Sequence, residues 1–183
     1  MEASLHDNLL IERARSGDQR AFRQLVERYE PMVRSIIGGM LGPSDVEDVA
    51  QDVFIKFYRA LNKYAGNAKL STYLGRIAIN TALTAADKRK KRPNALSTDH
   101  QLVMHKADRS QSPERTELQD ALQQALGRLS EEYRTVVVLR LVQGYSVSET
   151  AALLQVPMGT VASRLSRAQK ELQQYLKPIL NQG

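Results

Sequence analysis

The chain has 183 residues, 42% of them hydrophobic, with no Cys, no Trp and 3 Phe. That length admits one domain or two small ones. The apolar share supports cores built mainly from aliphatic side chains and excludes wholesale disorder, while the missing thiols exclude disulfides, thiolate metal ligands and direct thiol redox chemistry.

Lys and Arg number 26 against 20 Asp and Glu, a net charge of +6 that suits a polyanionic partner. Residues 1–15 are mixed and charged, unlike a signal peptide. No apolar run is long enough to span a bilayer, so the expected compartment is the cytoplasm.

Apolar spacing is helical nearly throughout. Phe22, Leu25, Val26 and Tyr29 begin a face that Val33, Ile36, Ile37 and Met40 continue beyond Pro31. Gly38-Gly39 and Gly42-Pro43-Ser44 are expected to punctuate the chain. Ser44 can then cap a new helix, with Glu47 at its third position. That helix would bury Val46, Val49, Ala50, Val53, Phe54, Phe57 and Leu61. A loop over residues 62–69 leads into a further helix from about Leu70, with a core stripe of Leu70, Leu74, Ile77 and Thr81. It ends in the basic run Lys88 to Arg92.

Pro93 stops the pattern, and the polar stretch from there to Pro113 reads as a linker, longer than connections inside compact domains. Helical spacing resumes with Leu118, Leu122, Leu126 and Leu129. The β-branched run from Val136 to Val142 suits a buried strand or a buried helix. With no partner strand nearby, a helix is expected. The expected fold is all-α, with two small helical domains over residues 1–92 and 115–183 joined by a flexible linker over 93–114.

The stretch from Tyr145 to Leu176 carries the clearest chemistry. Ser146 or Ser148 can cap a short helix through Leu154, Gln155-Val156-Pro157 makes a turn, and a second helix begins near Met158. Two helices joined so tightly form a helix-turn-helix, whose second helix enters the major groove. On that helix Val161, Leu165, Ala168 and Leu172 form the buried stripe. Thr160, Ser163, Arg164, Arg167 and Lys170 fall opposite, a face of hydroxyls and cations suited to base edges and phosphates.

These motifs together resemble the extracytoplasmic-function sigma factors. The resemblance rests on Gly17-Asp18-Gln19-Arg20-Ala21-Phe22, on Asp45-Val46-Glu47-Asp48-Val49-Ala50-Gln51-Asp52-Val53-Phe54 and on Ser71-Thr72-Tyr73-Leu74-Gly75-Arg76-Ile77-Ala78-Ile79-Asn80. It continues in Leu129-Ser130-Glu131-Glu132-Tyr133-Arg134 and Pro157-Met158-Gly159-Thr160-Val161-Ala162-Ser163-Arg164-Leu165. It implies that residues 1–92 are a region 2 bundle that holds the β′ clamp helices of RNA polymerase and reads the −10 element. Residues 115–183 would be a region 4 domain that contacts the β flap and reads the −35 element. The family also implies an anti-sigma partner, often membrane-anchored, that occludes both domains until a stress signal arrives. No enzymatic activity and no cofactor are expected.

Carried onto this chain, the polymerase contact would fall on Asp45, Glu47, Asp48, Gln51, Asp52 and Ile55. Asp48, Gln51 and Asp52 share a side at i, i+3 and i+4, and an acidic surface suits a cationic clamp. Acids also gather at helix starts because of the macrodipole, and that reading stays open. For −10 reading, Tyr64, Asn67 and Lys69 match the family's loop for an unstacked base, where aromatic and amide groups suit stacking and edge recognition. Tyr64 suits core packing equally, and for Tyr73, which replaces the family's usual Trp, core packing is expected. Ser71, Thr72, Arg76 and Asn80 lie on the following helix, and Lys88, Arg89, Lys91 and Arg92 would track phosphates. The position before Ser163, commonly Lys or Arg in the family, is Ala162 here.

Two other classes compete. A stand-alone helix-turn-helix regulator would need a receiver or ligand domain upstream, where residues 1–92 instead resemble region 2. A metal-dependent nucleic-acid enzyme would use the Asp45, Glu47, Asp48 and Asp52 carboxylates. His6, His100 and His105 lie elsewhere, and no phosphate loop or nucleophile motif accompanies those acids.

Overall fold

The computed structural model describes residues 2–66, 68–91 and 113–180, and among them there is no strand. Four helices make the N-terminal bundle: α1 Glu2–Arg15, α2 Gln19–Leu41, α3 Val46–Ala60 and α4 Leu70–Lys90. The C-terminal part comprises α5 Pro113–Arg128, α6 Glu131–Val137 with a π-helical turn Val138–Val142, α7 Val147–Leu154 and α8 Met158–Leu180.

Helix starts follow local chemistry. Asp18 caps α2, accepting from the amides of Arg20 at 2.9 Å and Ala21 at 3.1 Å. The Arg13 guanidinium, 2.6 Å away, and these amides hold its carboxyl below the ordinary range. A depressed folded pKa means the cap contributes above the usual carboxylate range and is lost as pH falls through the lowered value. Buried Asp7 ties α1 to α2 by accepting from Arg28 at 2.6 Å and from the Tyr29 hydroxyl.

Leu25, Ile36, Val53, Phe57 and Leu74 form the centre of the bundle, each fully buried. Phe57 stacks on Phe22 with ring centroids 5.7 Å apart. Phe57→Ala is expected to destabilise the chain by about 3–5 kcal/mol, read as a lower urea midpoint at unchanged slope.

The glycines and the cap between α2 and α3 differ from expectation. Gly38 and Gly39 do not interrupt α2, which runs on to Leu41. Gly39 is instead a packing notch, since a Cβ there would lie 2.7 Å from Val138 Cγ2. Ser44 caps nothing. A 3-10 turn, Pro43–Asp45, precedes α3, and Glu47 turns away to Arg34 at 2.7 Å. In α4 the buried set exceeds the expected stripe: Ala78, Ile79 and Ala82 are covered as well. The reason is that α4 packs against α2 and α3 and also against α7.

The run from Val136 is helical, as expected, but only partly buried. Val136 to Leu139 are inside, whereas Leu141 and Val142 are about half exposed (52% and 48%). The π-helical turn causes this change. Gln143 N bonds Val138 O at 2.9 Å, five residues back, which adds a residue to the turn and rotates the face. Among the described side chains of α5, Ala121, Ala125 and Leu126 are buried and Leu122 faces outward, and Leu129 just beyond the helix is buried as well.

The C-terminal helices have their own small cores, one around Leu126, Val137, Ala168 and Leu172 and one around Val136, Ala151 and Val161. Val138, Leu139, Tyr145 and Leu153 belong instead to the core of the N-terminal bundle. The two parts therefore meet across an apolar seam.

Candidate nucleic-acid interface

The helix-turn-helix forms where the sequence places it. Ser146, not Ser148, caps α7: its hydroxyl accepts from Glu149 N at 3.1 Å, and the Glu149 carboxylate accepts from Ser146 N at 2.8 Å. The Ser146 amide first, and the Ser146 hydroxyl after it, hold the Glu149 carboxyl below its ordinary range. Gln155 ends α7 in the left-handed region at φ 55°, and Val156 N returns to Ala151 O at 3.2 Å. Pro157 then leads into α8.

On α8, Val161 and Ala168 are fully buried and Leu172 nearly so, which leaves Ser163, Arg167 and Lys170 exposed. Thr160 and Arg164 are partly covered. Two of the cations lie against α6: Arg164 Nη2 is 2.9 Å from a Glu132 carboxylate oxygen, and Tyr133 beside Arg167 raises that guanidinium's pKa. A cationic helix face standing clear of its own domain fits a major groove.

The second polar face lies on α4. Thr72, Arg76 and Asn80 follow at i, i+4 and i+8, and the last two are exposed. Lys69, Lys88, Arg89 and Lys91 are exposed at the two ends of the helix. Ser71 does not join this face. It lies about 140° round the helix from Arg76, and its carbonyl accepts from the Tyr145 hydroxyl at 3.2 Å. Tyr64 is buried, its ring 5.0 Å from Tyr73 and its hydroxyl donating to Ala68 O at 2.6 Å. Arg15 of α1 holds the loop from behind by donating to the carbonyls of Leu61 and Tyr64, beside a cavity of about 350 Å³. Asn67 and Arg92 lie outside the described residues.

Burial raises the Tyr64 and Tyr145 hydroxyls above the usual phenol range, so both donate as neutral groups at physiological pH. Lys56, which the sequence reading did not single out, reaches from α3 to donate to Thr81 Oγ1 at 3.0 Å, beside Asn80. Only the packing of α3 on α4 brings the two together.

The acidic start of α3 divides in two. Asp45 pairs with Arg89 at 3.4 Å, and Glu47 with Arg34 at 2.7 Å. Asp48, Gln51 and Asp52 are exposed, and the two carboxylates carry no ion pair among the described residues. Ile55 and Tyr58 extend this side of α3 with apolar surface, 48% and 54% exposed. Such a surface suits docking to a basic, partly apolar partner. No group of His, Asp or Glu among the described residues is arranged to hold a metal ion.

The chain matches the Sigma-70 region 2 family over residues 25–92 and the Sigma-70, region 4 family over residues 119–172. It is 35% identical to the ECF RNA polymerase sigma-E factor of Escherichia coli (strain K12), over 98% of this chain and 99% of that protein. It is 36% identical to the RNA polymerase sigma-H factor of Pseudomonas aeruginosa, over 97% of each. The structure of CnrH in complex with the cytosolic domain of CnrY is similar, with a TM-score of 0.69 at 28% identity over 94% of this chain and 98% of that one. So is the sigma factor RpoE in complex with the anti-sigma factor NepR from Bartonella quintana, with a TM-score of 0.68 at 26% identity over 85% and 96%.

Proposed function

This chain belongs to the extracytoplasmic-function sigma factors of the sigma-70 family, and from that premise we propose how its surfaces divide the work of starting transcription. It binds core RNA polymerase, directs it to promoters by reading −10 and −35 elements, and has no catalytic activity of its own. The observation that carries this reading is two exposed cationic or amide-bearing helix faces, on α4 and α8, in a chain that also presents the exposed carboxylates of Asp48 and Asp52 on α3.

Asp48, Gln51, Asp52 and Ile55 make the polymerase contact, against the β′ clamp helices. Asp45 and Glu47 shape that surface through their bonds to Arg89 and Arg34. Thr72, Arg76 and Asn80 face the −10 element, with Lys69, Lys88, Arg89 and Lys91 on phosphates. Ser163, Arg164, Arg167 and Lys170 face the −35 element, Arg164 being pre-aimed by Glu132. Region 4 also meets the β flap. The buried ring of Tyr64 supports the base-receiving loop from inside.

The work on core enzyme and DNA takes place in the cytoplasm, and no described helix is long and apolar enough to cross a membrane. An anti-sigma factor holds the protein in check until a stress signal arrives. The structural relative bound to NepR, and the relative bound to the cytosolic domain of CnrY, support that regulation.

The test is reconstitution with sigma-free core polymerase on fragmented genomic DNA, mapping transcript starts. Discrete starts that share two upstream elements are expected. Silence of the core, together with sequence-specific duplex binding by the chain alone, would favour the stand-alone regulator. Arg164→Ala and Arg167→Ala should each weaken use of −35-dependent promoters by about 1–3 kcal/mol per lost base contact and relax preference at single −35 positions. A uniform loss across all −35 sequences would reassign the residue to phosphate.

A further inference from the structure

The loop between α3 and α4 depends on a side chain from outside itself. After the 3-10 turn Leu61–Lys63, Gly66 bends the chain in the left-handed region at φ 73°, a conformation glycine reaches freely but orders at a high entropic cost. Within the loop, Tyr64 N reaches Leu61 O at 3.3 Å, and the Tyr64 hydroxyl donates to Ala68 O at 2.6 Å.

Arg15, the last residue of α1, adds a longer-range hold, across 46 and 49 positions of chain. Its Nε and Nη2 both donate to Leu61 O at 3.1 Å, and Nη2 donates to Tyr64 O as well. Nη1 turns to Glu12, 2.5 Å away and one turn back on α1. All three guanidinium nitrogens are therefore engaged, which fixes the rotamer. The carbonyls they hold follow the end of α3, where helical C=O groups lack partners and a cation is favoured. α1 is itself anchored, because buried Asp7 accepts from Arg28 and Tyr29 of α2. The rigid bundle thus grips the loop backbone through Arg15.

Behind the loop the packing is open. A cavity of about 350 Å³ lies between Asn8, Ile11 and Arg15 on one side and Tyr64, Ala65 and Gly66 on the other. A loop released by Arg15 has room to sink into it. The Tyr64 ring keeps its packing on Tyr73, 5.0 Å away, so release displaces the loop backbone rather than unfolding the bundle.

We propose that Arg15 is a positioning residue for −10 recognition: by holding the carbonyls of Leu61 and Tyr64 it sets the shape in which the loop receives an unstacked base, without touching DNA. The proposal rests on the promoter-reading function above. An extruded base is read by hydrogen bonds to its edge. Such bonds discriminate only while their partners are held within about 0.5 Å of the productive position. Arg15 therefore governs selectivity at the base the loop reads and leaves the contacts of α4 and α8 unchanged.

The test compares transcription by core polymerase carrying wild type, Arg15→Met or Arg15→Lys, on promoters altered one base at a time. Each readout is a ratio between promoters, so it does not depend on how much of a variant is active. In Arg15→Met the preference at a single −10 position is expected to fall about tenfold, the size of one good base contact. The other −10 positions and all −35 positions should stay within about twofold of wild type. Arg15→Lys should keep part of the preference, since one ammonium cannot serve both carbonyls as the planar fork does. Preferences unchanged at every position, or lowered equally at all of them, overturn the assignment and leave the promoter-directing function standing.

Hydrogen exchange on the free, full-length chain separates the clamp from the function. Arg15→Met should speed exchange at the amides of residues 61–66 by at least about tenfold, with α2 and α4 unchanged. Equal rates in wild type and variant overturn the clamp, whatever transcription shows. No transcripts from wild type would sink the function and the −10 role of Arg15 with it, while the exchange rates would still decide whether Arg15 holds the loop.

Discussion

Asp48→Arg/Asp52→Arg is expected to lower promoter-dependent transcription by at least about 100-fold, with the urea unfolding free energy changed by only about 1 kcal/mol. The two carboxylates are neighbours one helical turn apart, exposed, and without an ion pair among the described residues. Removing them breaks no bond inside the fold. Reversing both sets cation against cation at a basic clamp. Like-charge contact at an interface costs several kcal/mol, and about 2.7 kcal/mol already accounts for a 100-fold loss. Glu47→Gln is the informative contrast. It should release Arg34, which among the described residues otherwise bonds only Glu30 at 3.3 Å, and cost much less activity because the clamp-facing pair survives. Wild-type transcription from the double reversal would return the acidic patch to the role of a solvated helix start.

Arg134→Met is expected to destabilise the chain by about 3–5 kcal/mol, among the largest effects of any single substitution outside the bundle centre. The guanidinium donates to four carbonyls: Leu126 at 2.8 Å, Gly127 at 2.8 Å, Leu129 at 3.0 Å and Met40 at 2.8 Å. Three of them lie at the end of α5 and just beyond it, where helical carbonyls lack partners. The fourth belongs to α2. Methionine has similar length and no donor, so it strands these acceptors in a partly closed space. Desolvation there already lowers the Arg134 pKa, with the charge of Glu131 acting in the opposite sense. Arg134→Lys should recover only part of the loss, because one ammonium cannot spread over the fork. Chemical denaturation of both variants checks the order, and a methionine variant as stable as wild type would remove this role.

Arg134 stood in the sequence as one letter of a family motif, with no visible reason for its presence. Its reason is a convergence of carbonyls from two separate parts of the chain. The same holds for Gly39. A glycine pair reads as punctuation when only local propensity is weighed, but here the helix is held by packing on both sides and the missing side chain makes room for Val138. Asp45 and Glu47 read as members of one acidic patch with Asp48 and Asp52. Long-range pairing with Arg89 and Arg34 divides that patch in two.

What the sequence by itself determined is what depends on neighbours a few residues away. The helical spacing, a serine cap at the start of α7, the turn at Gln155 and the cationic face of α8 all follow from a 3.6-residue period and from end chemistry that acts within one turn. The tertiary structure alone decided which surfaces remain free. Tyr145 bonds Ser71 across 74 positions, Arg134 bonds Met40 across 94, and Gln143 bonds Ser35 across 108. No periodicity reports contacts of that range. They depend on how two finished helical units fit, and the fit rests on the side chain missing at Gly39 and a π-helical turn that the residue pattern does not announce.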